Sequence, residues 1–150
     1  MALLIENRQK KVKLALRPLR TSVNKILKEL GLRGKEVSLL LVDNEGIREV
    51  NRLYLNRDYP TNVISFSQLE GEFGGINPDI LGDVVISVER AKSDAEENGL
   101  SLEDELDFLF IHGILHLMGY DHENCEEAEA QRMKEKSAEV FYNIKGYIVE

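Results

Sequence analysis

His112, His116 and His122, the three histidines of this 150-residue chain, fall within one short stretch, HGILHLMGYDH. Residues four apart on an α-helix lie one above the other on the same face, so the imidazoles of His112 and His116 can reach a common ion. Gly119 adopts positive φ without steric cost. It can therefore end such a helix in a left-handed turn that brings the chain back and makes His122 a third ligand. Three protein nitrogens leave one position of a tetrahedral zinc open, the arrangement of catalytic zinc, whereas structural zinc is closed by four protein ligands. Zinc, one ion per chain, is expected ahead of nickel, copper or iron on ligand type and availability.

Two plainer readings stand beside this one. The histidines can be ordinary residues of a buried helix. Yet the segment from Leu106 to Met118 is apolar almost all round, and imidazoles placed in such a helix without partners carry a desolvation cost that a bound cation removes. The zinc can also be structural, closed by Cys125 or Asp121, which lie close in sequence. A cysteine three residues past His122 needs a tight loop to point inward, which favours the open site.

The elements that must hold these residues follow from hydrophobic spacing. Val12, Leu16, Leu19, Val23, Ile26, Leu27 and Leu30 recur at steps of three and four and predict an amphipathic helix over about residues 9 to 30, kinked or restarted at Pro18. Lys13, Arg17, Arg20 and Lys28 fall on a different stripe of it. Leu3 to Ile5 can form a strand, Val37 to Val42 reads as a buried strand, and Asp43 or Asn44 caps a helix carrying Ile47, Val50, Leu53 and Tyr54. Pro60 ends the following loop. Val63 to Phe66 and Val84 to Ile86 are two more strands, with a glycine-rich loop or hairpin over residues 67 to 80 between them. Ser87 caps a helix that Gly99 ends. Ser101, with Asp104 three residues on, begins the helix that carries His112 and His116. A last helix covers about residues 125 to 143, with Ala128, Met133, Val140 and Phe141 as apolar contacts. The expected fold is α+β: about four strands in a mixed, mainly parallel sheet packed with helices, the metal site on a central buried helix.

A chain of 150 residues with 43% hydrophobic residues fits one domain, residues 1–150, with a real core. It has no apolar run long enough to span a membrane, and MALLIENRQKKVK is too short an apolar start for a secretion signal, so a soluble cytoplasmic protein is expected. The lone cysteine agrees with a reducing compartment. Net charge is −8, but unevenly spread: residues 1 to 35 carry ten Lys or Arg against two Glu, and the remainder nine against twenty-five Asp or Glu. A basic first quarter suggests a polyanion footprint; a merely solvated helix face is the equal alternative.

The histidine stretch resembles the H-G-x-L-H-L-x-G-Y-D-H signature of the YbeY family, bacterial metal-dependent endoribonucleases of ribosomal RNA maturation. Asn51-Arg52-Leu53-Tyr54 with Asp58-Tyr59-Pro60-Thr61-Asn62-Val63-Ile64-Ser65-Phe66 is similar to the family's N-x-x-Y and D-x-P-T-[DN]-V-[LI]-S-F segments, and Leu81 to Ile86 to its L-G-D-[IV]-x-I strand. The resemblance covers about residues 37 to 135. It implies zinc held by His112, His116 and His122, cleavage of single-stranded RNA, maturation of the 16S rRNA 3′ end, ribosome quality control, and the small ribosomal subunit as partner. The family usually has Arg directly after the tyrosine; this chain has Leu55. Arg57 is the expected replacement as catalytic phosphate clamp, with Arg52 the alternative, because a guanidinium fork matches two phosphate oxygens. Asp121 either orients a histidine or is a solvated turn residue. The rival activity is a zinc peptidase of the H-E-x-x-H-x-x-G-x-x-H type, whose Glu is the general base; Gly113 occupies that position here. A non-catalytic ribosome-associated factor with structural zinc is the third reading.

Overall fold

The structure, a computed structural model, describes residues 3–58, 61–67, 80–120 and 127–146, the side chains of 129 and 130 excepted. The elements run β1 (Leu3–Asn7), α1 (Leu16–Glu29), β2 (Glu36–Val42), α2 (Asn44–Leu55), β3 (Val63–Ser67), β4 (Ile80–Ser87), α3 (Val88–Asn98), α4 (Leu102–Leu117) and α5 (Glu127–Lys145). The strands form one sheet in the order β1-β2-β4-β3. The first three are mutually parallel, and β3 lies antiparallel to β4 at the edge. This is the mixed, mainly parallel four-stranded sheet expected from the sequence.

Side chains alternate across the strands, so each face collects its own core. Val37, Leu39 and Leu41 of β2 join Val84 and Ile86 of β4 in the larger cluster, with Leu19, Val23 and Ile26 of α1 and the length of α4. On the opposite face Val42, Ile64 and Val85 meet Ile47 of α2. α4 packs against α1, α3, α5, β3 and β4 at once. A helix so enclosed has to be apolar around most of its circumference, and ten of its residues are buried.

Local signals set most of the helix ends. Asp43 accepts from Gly46 N (2.7 Å), Ser87 from Arg90 N (3.2 Å) and Ser101 from Asp104 N (3.1 Å), each satisfying an amide that a helix N-terminus leaves without an internal partner. Gly99, at φ +69°, closes α3.

The first helix differs from expectation. It begins at Leu16, not near residue 9, because the Gln9 side chain accepts from Val12 N (2.9 Å) and donates to Val12 O (2.8 Å), holding residues 9–12 in a loop. Pro18 then falls in the first turn of α1, where no intrahelical N–H is required, and causes no break. Four residues expected on apolar helix faces also differ: Leu16, Leu53 and Tyr54 are exposed and Ala128 lies on the outside of α5. The glycine-rich segment and Pro60 lie, apart from Ser67 and Ile80, outside the described residues.

Candidate metal centre

α4 carries His112 and His116 one turn apart, with ring centroids 4.9 Å apart and ring planes at 69°. Both are half-buried. Between them in sequence, Gly113 faces the sheet. A Cβ there would lie 2.7 Å from Val84 Cγ1, 3.1 Å from Ser65 Oγ and 3.3 Å from Val63 Cγ2. The bare backbone lets the helix press onto β3 and β4, and Ser65 Oγ donates to Gly113 O at 2.9 Å. The glycine expected to report on the type of chemistry is therefore fixed first by packing.

The helix ends as its sequence predicts. Gly119 has φ +101°, its amide bonds to His116 O (3.0 Å), and Tyr120 N bonds to Leu115 O (2.9 Å). These paired reverse bonds form the Schellman arrangement, which uses up the last carbonyls and turns the chain back. The turn follows directly on the second histidine. His122, with Asp121 and Cys125, lies outside the described residues, and among those described no group of three His, Cys, Asp or Glu side chains converges into a metal cage. The donor set fits zinc as far as it is described: two imidazoles on one face of a rigid, buried helix, suited to a borderline cation.

Arg57 lies just beyond α2. Asn56 turns the chain at φ 54° and Arg57 N donates to Asn51 O (3.2 Å), which leaves the Arg57 side chain exposed. Its neighbours are engaged in ion pairs: Arg52 Nε with Glu49 (3.3 Å) and Arg48 Nε with Asp58 (2.8 Å). The bond from Arg48 holds the Asp58 carboxyl below its ordinary range. Tyr54 meets Phe66 edge to face at 5.6 Å. Because Phe66 alternates with Val63 and Ser65, this places the end of α2 on the face of β3 opposite to Gly113. The segment carrying Arg57 and the histidine pair thus flank one edge strand from its two sides. The structure brings His112 and His116 together; it does not place Arg57 on their face.

Sequence reasoning missed the charges inside α4. Asp107 is 1% exposed, and its carboxylate meets Lys145 Nζ of α5 at 2.5 Å; Asp104 meets the same ammonium at 3.0 Å. Burial raises the Asp107 pKa against the lowering effect of the Lys145 ammonium. Burial opposes the Lys145 charge, but its bonds to Asp107 and Asp104 outweigh that and raise its pKa. The one legible signal was an acidic residue interrupting an apolar helix.

Fold and site together define an α+β domain built around a buried helix that ends in paired imidazoles. The Endoribonuclease YbeY family profile matches residues 4–145. An Endoribonuclease YbeY of Syntrophus aciditrophicus is 54% identical over 147 residues, 98% of this chain and 92% of that protein. One of Geobacter metallireducens is 50% identical over 141 residues, 94% of each. A Thermotoga maritima protein solved in solution superposes with a TM-score of 0.63 at 28% identity, over 96% of this chain and 89% of that one. The chain belongs to the YbeY family of endoribonucleases. Among its described residues no helix is long and apolar enough to cross a membrane.

Proposed function

We propose that this chain is a zinc-dependent endoribonuclease that cuts single-stranded RNA, its ion held by His112, His116 and His122, one per chain. We further assign it to the cytoplasm, to maturation of the 16S rRNA 3′ end and to ribosome quality control on the small subunit. Family membership supports the reaction class. The observation that carries the metal reading is the His112–His116 pair, 4.9 Å apart on a helix that Gly119 turns back immediately afterwards.

A divalent ion held there supplies Lewis acidity and a lowered water pKa at neutral pH. The chain's own residues do the rest. Ser65 and the bare Gly113 fix the helix against β3 and so set the direction of both imidazoles. Arg57, exposed beyond α2 and across the edge strand β3 from the histidine pair, is assigned to the phosphate of a strand that crosses that edge, where a bidentate guanidinium binds two oxygens and stabilises the charge that grows on them. The peptidase reading lacks a general base, since a Glu side chain at position 113 would collide with Val84.

Metal analysis of the purified protein, paired with cleavage of a defined single-stranded RNA before and after EDTA, tests this. Stoichiometric zinc and EDTA-sensitive cleavage, with the fold intact by circular dichroism, are expected. Zinc-dependent cutting of unstructured peptides with RNA left intact would establish the peptidase instead.

A further inference from the structure

The solvent side of α1 and the turn after it enclose a groove of about 470 Å³, lined by Thr21, Asn24, Lys25, Lys28 and Arg33 over Leu32. Lys25, Lys28 and Arg33 are all exposed. Among the described residues none of the three side chains is engaged in an ion pair or hydrogen bond. Glu29, the acidic residue of α1, is turned away: its carboxylate accepts from Asn143 Nδ2 of α5 at 2.7 Å. Three other cations of the basic first quarter are already engaged, whereas Lys10, Lys13 and Arg17 are exposed but do not line this groove. Arg20 donates to Leu3 O at 3.2 Å, Arg8 pairs with Glu6, and Lys11 reaches Asp43 and Glu89.

We propose that this groove anchors the sugar-phosphate backbone of an RNA strand at a site separate from the histidine pair; the choice of RNA rests on the ribonuclease reading above. Three cations within one groove match the phosphate spacing tolerance of a flexible single strand, and Thr21 and Asn24 add the neutral donors that phosphate contacts commonly use. On balance the rest of the chain is less favourable to a polyanion, since residues 36–150 carry twenty-five acidic against nine basic side chains. The groove's own lining holds three cations and no acidic side chain. Anchoring there raises affinity for long strands and leaves the chemistry at the histidines unchanged.

The test is binding and cleavage of a labelled, unstructured oligoribonucleotide by the purified protein and by a Lys25→Gln, Lys28→Gln, Arg33→Gln variant. Each phosphate contact on a single strand contributes about 0.7 to the slope of log K against log salt, so the variant should lose roughly 2 from that slope and bind about 10- to 100-fold more weakly at 0.1 M salt. KM for the long strand should rise with kcat unchanged. A Lys25→Arg, Lys28→Arg, Arg33→Lys variant should keep the wild-type slope, which separates charge from folding. A folded glutamine variant with the wild-type slope, while the parent cuts RNA, overturns the groove and leaves the enzyme standing. A parent that binds RNA through these cations yet cuts none overturns the enzyme and leaves the groove.

Discussion

Ser65 Oγ donates a 2.9 Å hydrogen bond to the carbonyl of Gly113, joining the edge strand β3 to the turn of α4 that separates the two histidines. The bond exists because Gly113 has no side chain: the helix approaches until a Cβ would stand 2.7 Å from Val84 Cγ1. Imidazole placement is thereby a property of sheet packing as much as of helix periodicity.

Gly113→Ala should overpack this contact, at a cost of about 1–3 kcal/mol in unfolding free energy by urea titration. Val84→Ala in the same chain should return part of it by vacating the colliding methyl. Gly113→Glu should destabilise further and yield no peptidase, since its carboxylate has no room beside the sheet. Unchanged stability of the alanine variant would show that α4 lies farther from β4 than described.

His116→Ala should strip the metal from the protein, read by elemental analysis, while the thermal midpoint of the metal-free form shifts little. The side chain is half-buried and a site open to substrate contributes less to folding than a closed one. Stoichiometric metal retained by this variant would remove His116 from the ligand set.

Much of this was legible in the residues. The caps Asp43, Ser87 and Ser101 marked three helix starts, Gly99 and Gly119 marked two ends, and alternating apolar runs marked the strands. Three features were not. Gln9 holds a loop through side-chain bonds to Val12 that periodicity cannot register, so α1 starts at Leu16 although the apolar spacing begins at Val12. Leu53 is apolar yet 60% exposed, because the helix end leans on the sheet through Tyr54 and Phe66 instead. Asp107 is buried because a cation arrives from α5, and no local pattern encodes a partner thirty-eight residues away at Lys145.

Lys145→Met should be costly for that reason. It leaves Asp107 buried beside Asp104 with no ammonium, a change worth roughly 3–5 kcal/mol at full burial and nearer the lower figure here, where Lys145 keeps 17% of its side-chain surface exposed. The pH dependence has a definite sign. The folded pKa of Asp107 is raised, chiefly by burial, so the neutral form is favoured on folding; its stability contribution is present below the ordinary aspartate pKa and is lost as pH rises through the raised value. Removing Lys145 takes away groups that lower that pKa, so the deficit should shrink as the pH falls and the carboxyl protonates. Urea titrations of parent and variant at mildly acid and at neutral pH read this directly. Asp107→Asn added to Lys145→Met should recover most of the loss, and an equal deficit at both pH values would mean that Asp107 is not the group responsible.

Arg57 and Arg52 make different predictions for the phosphate clamp. Arg52 is committed to Glu49 on the same helix, and its pKa is raised first by that hydrogen bond, so Arg52→Ala should remove an ion pair and change RNA cleavage little. Arg57 is exposed just beyond α2, across the edge strand β3 from the face that meets Gly113. Arg57→Ala should lower kcat by about 10²–10³, the usual cost of losing one donor to developing charge, with KM altered less. Arg57→Lys should restore only part of the rate, because a single ammonium replaces a planar fork that holds two oxygens. Cleavage by both Arg57 variants at the parent rate, with Arg52→Ala inactive, would move the clamp to α2 and require that the Arg52–Glu49 pair opens when RNA binds.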